Sequence, residues 1–193
     1  MPNATLGSGC EVGPKTIVGY EYADDTRPAA IGNDVIVRAG STIYADVILH
    51  DEVQTGHDVL IREQTEIGSR TVVGSKTVIE GYTTIGENVS LQTGVYVPTQ
   101  STIEDRVFVG PCAVMTNDPY PIRQDVELEG PTLKESATIG ANATLNPGVT
   151  VGERAFVASG SVVTEDVPEE TLAIGIPAEF KPLPKKLKTE NNL

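Results

Sequence analysis

Few residues in this 193-residue chain can do chemistry. It has two histidines, His50 and His57, and two cysteines, Cys10 and Cys112. Histidine is the commonest general base near neutral pH, and His57, in Gly56-His57-Asp58, is a candidate for that role. His50 stands in no comparable pattern. Two histidines fall short of the three or four ligands a histidine zinc site takes, so no metal is expected. The cysteines have no metal-type spacing and are expected to be small, reduced packing residues. The other candidate region is residues 116–132, TNDPYPIRQDVELEGPT, with three prolines and one arginine. Asn117 stands at its start. An asparagine carbonyl can accept a hydrogen bond from an amine and orient it, but the amide cannot take a proton. Asn117 is therefore a positioning candidate rather than a base. Beside Asp118 and Pro119 it is also placed to form an Asx turn.

The elements that must position these residues show in a six-residue period. Ile61, Ile67, Val73, Ile79, Ile85, Leu91, Val97, Ile103, Val109 and Met115 are all apolar, and a small or β-branched residue lies two places before each. Glycine follows the large residue at Gly68, Gly74, Gly86 and Gly110, where it is expected to serve unusual turn dihedrals. This period fits neither an amphipathic helix nor an alternating strand. It fits a hexapeptide repeat, with short strands stacked as a parallel β-helix. Eighteen residues make one triangular coil, so residues 18 apart stack ~4.8 Å apart, one inter-strand spacing.

The period begins at Leu6, Val12 and Val18, slips in the polar loop near 20–30, and restarts at Ile31. Among the fifteen positions from Ile31 to Met115 only Thr55 is polar. After Met115 the pattern stops, then resumes in the same register at Leu133 and runs through Ile139, Leu145, Val151, Val157 and Val163. A long loop held between regular coils reads as functional, because sites concentrate on loops carried by rigid scaffolds. The expected organisation is an all-β parallel β-helix over 1–164, with loop insertions near 20–30 and 116–132. A C-terminal cap and tail fill 165–193. Residues 166–170 read as a turn into a short helical cap, and the final TENNL as frayed.

A net charge of −13 argues against a nucleic-acid partner held by phosphate contacts. With no signal peptide and no long apolar run, the chain reads as cytoplasmic, with no membrane partner.

The C-terminal coils carry the most specific signature. Residues 139–144 (IGANAT), 147–152 (PGVTVG), 159–164 (SGSVVT), Asp166-Val167-Pro168 and Gly175-Ile176-Pro177-Ala178 resemble the acetyl-CoA end of the left-handed parallel β-helix acyltransferases, the hexapeptide-repeat family. The left hand of the coil is implied by that resemblance. Residues 107–111, then Met115-Thr116-Asn117-Asp118, Tyr120-Pro121 and Arg123, resemble a narrower group. These are the N-acetyltransferases of nucleotide-linked amino sugars, notably of the 3-amino group of a UDP-linked hexuronate.

The resemblance implies an acetyl-CoA-dependent N-acetyltransferase, a homotrimer with active sites between subunits, and a nucleotide-sugar acceptor. It implies that Asn117 contacts the acceptor amine, and it gives Asp118, Tyr120 and Arg123 to the acceptor. Ala141, Ser159, Thr164 and Lys181 fall to the acetyl-CoA. Related O-acetyltransferases carry a catalytic histidine in the corresponding loop, and this loop has none. Two positions depart from the family: Glu165 stands where a lysine often helps hold CoA, and Glu179 where an arginine often meets a CoA phosphate. Lys181, Lys185 or Lys186 would substitute, or would form a solvated tail. The alternatives are an O-acetyltransferase or amino-acid acyltransferase of the same fold, or a non-catalytic β-helix scaffold subunit.

Residues 57 and 117 lie about 3.3 coils apart, or roughly 16 Å along the axis, and on different faces. One reacting atom pair cannot touch both. His57 would then be either a contact to the distal end of a long acceptor or a structural turn residue.

Overall fold

In the computed structural model, which describes residues 3–189 and 191–193, the chain winds as a left-handed parallel β-helix. Three sheets form the sides of a triangular prism. The first has eight strands, from Ala4–Leu6 to Thr150–Val151. The second has ten, from Glu11–Val12 through Phe156–Val157 to a terminal hairpin. The third has eight, from Ile17–Tyr20 to Val162–Val163. Each strand pairs in parallel with the strand one coil away: Ile67 lies opposite Ile85, Val73 opposite Leu91, and Ile79 opposite Val97. From Ile31 to Val163 the apolar residues of the six-residue column point inward and are almost wholly buried.

The register also accounts for the two interruptions. Leu6 pairs with Ile31, so the loop near 20–30 adds seven residues to a coil and moves the count by one. Ile103 pairs with Leu133, so the second excursion adds twelve, two whole hexads, and leaves the register unchanged. The first loop folds back on the prism. The Tyr20 and Tyr22 rings pack 4.7 and 6.0 Å from Tyr44. The Tyr22 hydroxyl donates to Asp46 at 2.9 Å, and Arg27 Nε donates to the other carboxylate oxygen at 2.7 Å. Thr55, the polar lapse in the core column, is satisfied: its hydroxyl donates to the Gly56 carbonyl at 3.0 Å and accepts the Arg38 N–H at 3.1 Å.

Two expectations need correction. Gly68, Gly74, Gly86 and Gly110 do not occupy left-handed turn positions. The left-handed residues recur every six places elsewhere, as at Gln64, Arg70, Lys76, Tyr82, Asn88 and Gly94. That conformation turns each N–H onto a carbonyl of the coil below, as from Lys76 to His57 at 2.8 Å and from Asn88 to Ser69 at 3.0 Å. This hydrogen bond offsets the ~1–2 kcal/mol a side chain pays there. The glycines are instead required by close approach: a Cβ on Gly74 would lie 2.4 Å from the Gln92 carbonyl carbon.

The second correction concerns the C-terminus. In place of a helical cap, Thr171–Gly175 and Ala178–Pro182 form an antiparallel hairpin. Its Leu172 and Ala173 pair with Phe156 and Val157, which covers the last strand edge of the second sheet. A single 3-10 turn follows at Lys185–Leu187. The described part of TENNL is anchored rather than frayed. Asn191 Nδ2 donates to the carbonyls of Arg106, Ser136 and Ala137, and Asn191 Oδ1 accepts from the Thr138 hydroxyl. Among the described residues no helix is long and apolar enough to cross a membrane.

Gly74→Ala should lower unfolding free energy by at least ~2 kcal/mol, because backbone, not a flexible side chain, blocks the new Cβ. Lys76→Gly, two residues away in a left-handed turn, should stay within ~1 kcal/mol of the parent. Urea denaturation of both variants checks this, and equal losses would contradict the assignment of the glycines to close approach.

Candidate functional site

Asn117 sits on the corner where the chain leaves the third sheet, two residues beyond the strand Val114–Met115. The excursion starts there and is closed at its base. The Glu129 N–H donates to the Asn117 carbonyl at 3.0 Å, and the Gly148 N–H donates to the Glu129 carbonyl at 2.9 Å. The returning segment of the loop thus fills the missing step of the backbone ladder, and residues 118–128 project. The Thr116 hydroxyl donates to the Leu145 carbonyl at 3.0 Å and fixes the residue before.

The half-buried Asn117 side chain has a defined orientation. Its Nδ2 donates to the Thr99 hydroxyl oxygen at 2.8 Å and to the Thr99 carbonyl at 3.3 Å. Its Oδ1 accepts no hydrogen bond among the described residues and is free for an external donor. The Asx turn expected at this point belongs to Asp118, whose Oδ1 accepts the Tyr120 N–H at 2.8 Å. That leaves the Asn117 amide to Thr99 and commits one Asp118 oxygen to the loop. Tyr120 and Arg123 lie on the exposed outer turn, joined by the Arg123 N–H to the Tyr120 carbonyl at 2.9 Å. Neither side chain makes a hydrogen bond or ion pair among the described residues.

The other candidates divide between corners. Ala141 and Ser159 stack in successive coils on the corner leaving the second sheet, where the Gly160 N–H donates to the Ala141 carbonyl at 2.8 Å. Thr164 follows Val163 on the Asn117 corner, two coils above it, and is exposed. Lys181 is exposed on the hairpin opposite Leu172, and Glu179 lies on the same strand opposite Ile174. One chain therefore places Asn117 and Thr164 on one edge of the prism and Ala141 and Ser159 on another, with the third sheet between.

His57 shares the corner of Ala141 and Ser159, several coils lower. Its N–H donates to Ser75 Oγ at 3.0 Å and its carbonyl accepts from Lys76. The exposed ring makes no hydrogen bond or ion pair among the described residues, so nothing orients it as a base. It lines a shallow cavity of about 220 Å³ with Arg38, Glu11 and Pro14, three coils below the level of Asn117. His50 Nε2 lies 2.8 Å from Glu66 Oε1 on the exposed first sheet.

Thr99 is the residue that sequence reasoning missed. A signal existed: Thr99 stands 18 places before Asn117, hence directly below it in the coil register.

Two family models match the chain. Residues 64–98 match the hexapeptide repeat of succinyl-transferase, and residues 130–165 match the bacterial transferase hexapeptide of six repeats. The Escherichia coli (strain K12) galactoside O-acetyltransferase is 30% identical over 82 residues, 39% of this chain and 40% of that protein. The Thermotoga petrophila bifunctional protein GlmU is 30% identical over 179 residues, 88% of this chain and 34% of that protein. The chain spans about half or less of the length of these curated relatives. A solved hexapeptide-repeat-containing acetyltransferase from Vibrio cholerae O1 biovar eltor, in complex with acetyl coenzyme A, is 29% identical with a TM-score of 0.53. That match covers 62% of this chain and 71% of the solved one. The repeat, the stacked coils and these likenesses agree: over residues 64–98 and 130–165 the chain is similar to the hexapeptide-repeat acyltransferases.

Proposed function

We propose that this protein transfers the acetyl group of acetyl-CoA to the amino group of a nucleotide-linked amino sugar, in the cytoplasm and as a homotrimer. The observation that carries the reading is Asn117. A fixed amide with a free carbonyl oxygen stands at the base of a histidine-free loop. The Vibrio cholerae neighbour solved with acetyl coenzyme A supports the co-substrate.

The chemistry asks little of a base. The nitrogen lone pair of the neutral amine attacks the thioester carbonyl and forms the C–N bond. The C–S bond then breaks, and the proton released by nitrogen goes to the departing thiolate. Asn117 Oδ1 accepts one N–H of the amine and aims its lone pair, which is an orienting role. Tyr120 and Arg123, on the projecting turn, are assigned to the acceptor. The stacked corner of Ala141 and Ser159 is assigned to acetyl-CoA, with Thr164 and Lys181 nearer the C-terminal end. With Glu165 and Glu179 bringing negative charge there, Lys181 is the cation this reading gives to the CoA phosphates.

The division of candidates between two corners motivates the trimer. When prisms pack side by side, an Asn117 edge of one chain can face the Ala141–Ser159 edge of another. The outward row of the third sheet supplies a mostly apolar face for that packing: Ile17, Leu60, Val78, Tyr96, Val114 and Val162, broken by Thr42 and Thr144. The outward row of the first sheet is polar from Glu66 through Thr84, Thr102, Thr132 and Thr150, with Ala30 and Ile48 only in the N-terminal coils. Three copies around a closed threefold axis would remove the apolar row from water.

Asn117→Ala should lower kcat roughly 10- to 100-fold, the scale of one orienting hydrogen bond, with acetyl-CoA affinity unchanged. His57→Ala should keep kcat within about twofold. Steady-state release of CoA thiol with a UDP-linked amino sugar reads both. A loss of 10²–10⁴-fold in His57→Ala beside a fully active Asn117→Ala would move the reaction centre to the N-terminal coils.

Val78→Asp should convert the trimer to monomers in sedimentation, because it buries an unpaired carboxylate in each copy of the interface. A variant that sediments like the parent would remove the third sheet from the interface.

A further inference from the structure

We infer that Thr99 is a positioning residue that locks the Asn117 amide in the one orientation suited to a nitrogen acceptor, and so sets the site against hydroxyl acceptors. This rests on the reading of Asn117 as the residue that orients the amine.

Thr99 presents two oxygens to Asn117 Nδ2, a hydroxyl at 2.8 Å and a backbone carbonyl at 3.3 Å. The hydroxyl can either donate or accept, but the carbonyl can only accept. A flipped amide would set Asn117 Oδ1 against that carbonyl, oxygen to oxygen. The carbonyl disfavours the flipped amide and the shorter hydroxyl bond holds the amide in place, so together they leave Oδ1 for an external donor. The backbone bond from Glu129 to the Asn117 carbonyl and the Thr116 hydroxyl bond to Leu145 hold the main chain under the amide.

An outward acceptor selects what approaches it. A neutral amine can give one N–H to Oδ1 and keep its lone pair for the thioester. A hydroxyl can give its only hydrogen to Oδ1, but it becomes a strong nucleophile only when that proton is removed. An amide cannot remove it. The histidine able to do so in principle, His57, lies on another corner and three coils lower. With the amide fixed this way, acyl transfer to nitrogen proceeds, and transfer to oxygen finds no histidine base at this corner.

The test uses the full-length protein, acetyl-CoA, a UDP-linked 3-amino-hexuronate and its 3-hydroxy counterpart. Thr99→Val keeps the shape and removes the hydroxyl, and Thr99→Ser keeps the hydroxyl. We expect Thr99→Val to lower kcat on the amine about tenfold, with acceptor KM and melting temperature nearly unchanged, and Thr99→Ser to restore the rate. A second readout needs no turnover. The Asn117 side-chain NH2 signals, assigned by their loss in Asn117→Ala, should exchange slowly with solvent in the parent and in Thr99→Ser, and faster in Thr99→Val. Full activity in Thr99→Val beside a slowed Asn117→Ala overturns the inference and leaves the role of Asn117 standing. Unchanged exchange in Thr99→Val, or no rescue by serine, also overturns it. Full activity in both Thr99→Val and Asn117→Ala overturns the underlying reading instead. A parent that turns over the hydroxy sugar and not the amine overturns the selectivity.

Discussion

The structure depends on one repeated constraint: each coil must lie one strand spacing from the next along all three sides at once. Backbone groups can then pair only with the coil above and the coil below. The register of 18 follows, with Ile67 on Ile85 and Val73 on Leu91. The core becomes a single column of aliphatics rather than a globular interior. It also explains why insertions must leave at corners. A strand residue lost from one side would break two ladders, whereas a corner can release any number of residues and take up the ladder again.

The same constraint rules the corners. A left-handed residue costs conformational energy at the turns that carry one, but it aims an N–H at the neighbouring coil, and glycine stands where two coils nearly touch. A corner built this way is rigid on both sides. That rigidity gives Asn117 its value. The excursion leaves and returns through ordinary ladder bonds, so Asn117 sits on scaffold although it opens a loop. A threonine one coil below then reaches its amide at hydrogen-bond distance.

The six-residue column could be read directly because inward positions tolerate almost nothing but aliphatics. The return of the count at Leu133 showed that the excursion adds whole hexads. Asn117 stood out because it opens the long break in that count. Other features rest on contacts that periodicity does not encode. The hairpin at the C-terminus follows from the need to cover a strand edge, which the six-residue count does not encode. Asn191 anchors the tail through three carbonyls exposed by a corner, a pattern with no mark in the local sequence. The role of the glycines was misplaced because turn dihedrals and close approach both favour glycine. Thr99 could have been found by counting back one coil, but a corner threonine carries no signal until the side-chain bond is seen.

The central claim is that an oriented amide directs acetyl transfer to nitrogen. The most direct measurement is mass spectrometry of products from an equimolar mixture of UDP- and dTDP-linked amino sugars, their hydroxy counterparts and simple galactosides, incubated with acetyl-CoA. The account predicts one acetyl group gained on the nitrogen of a nucleotide-linked amino sugar and none on the hydroxy counterparts. Acetylated galactosides with unmodified amino sugars would contradict it.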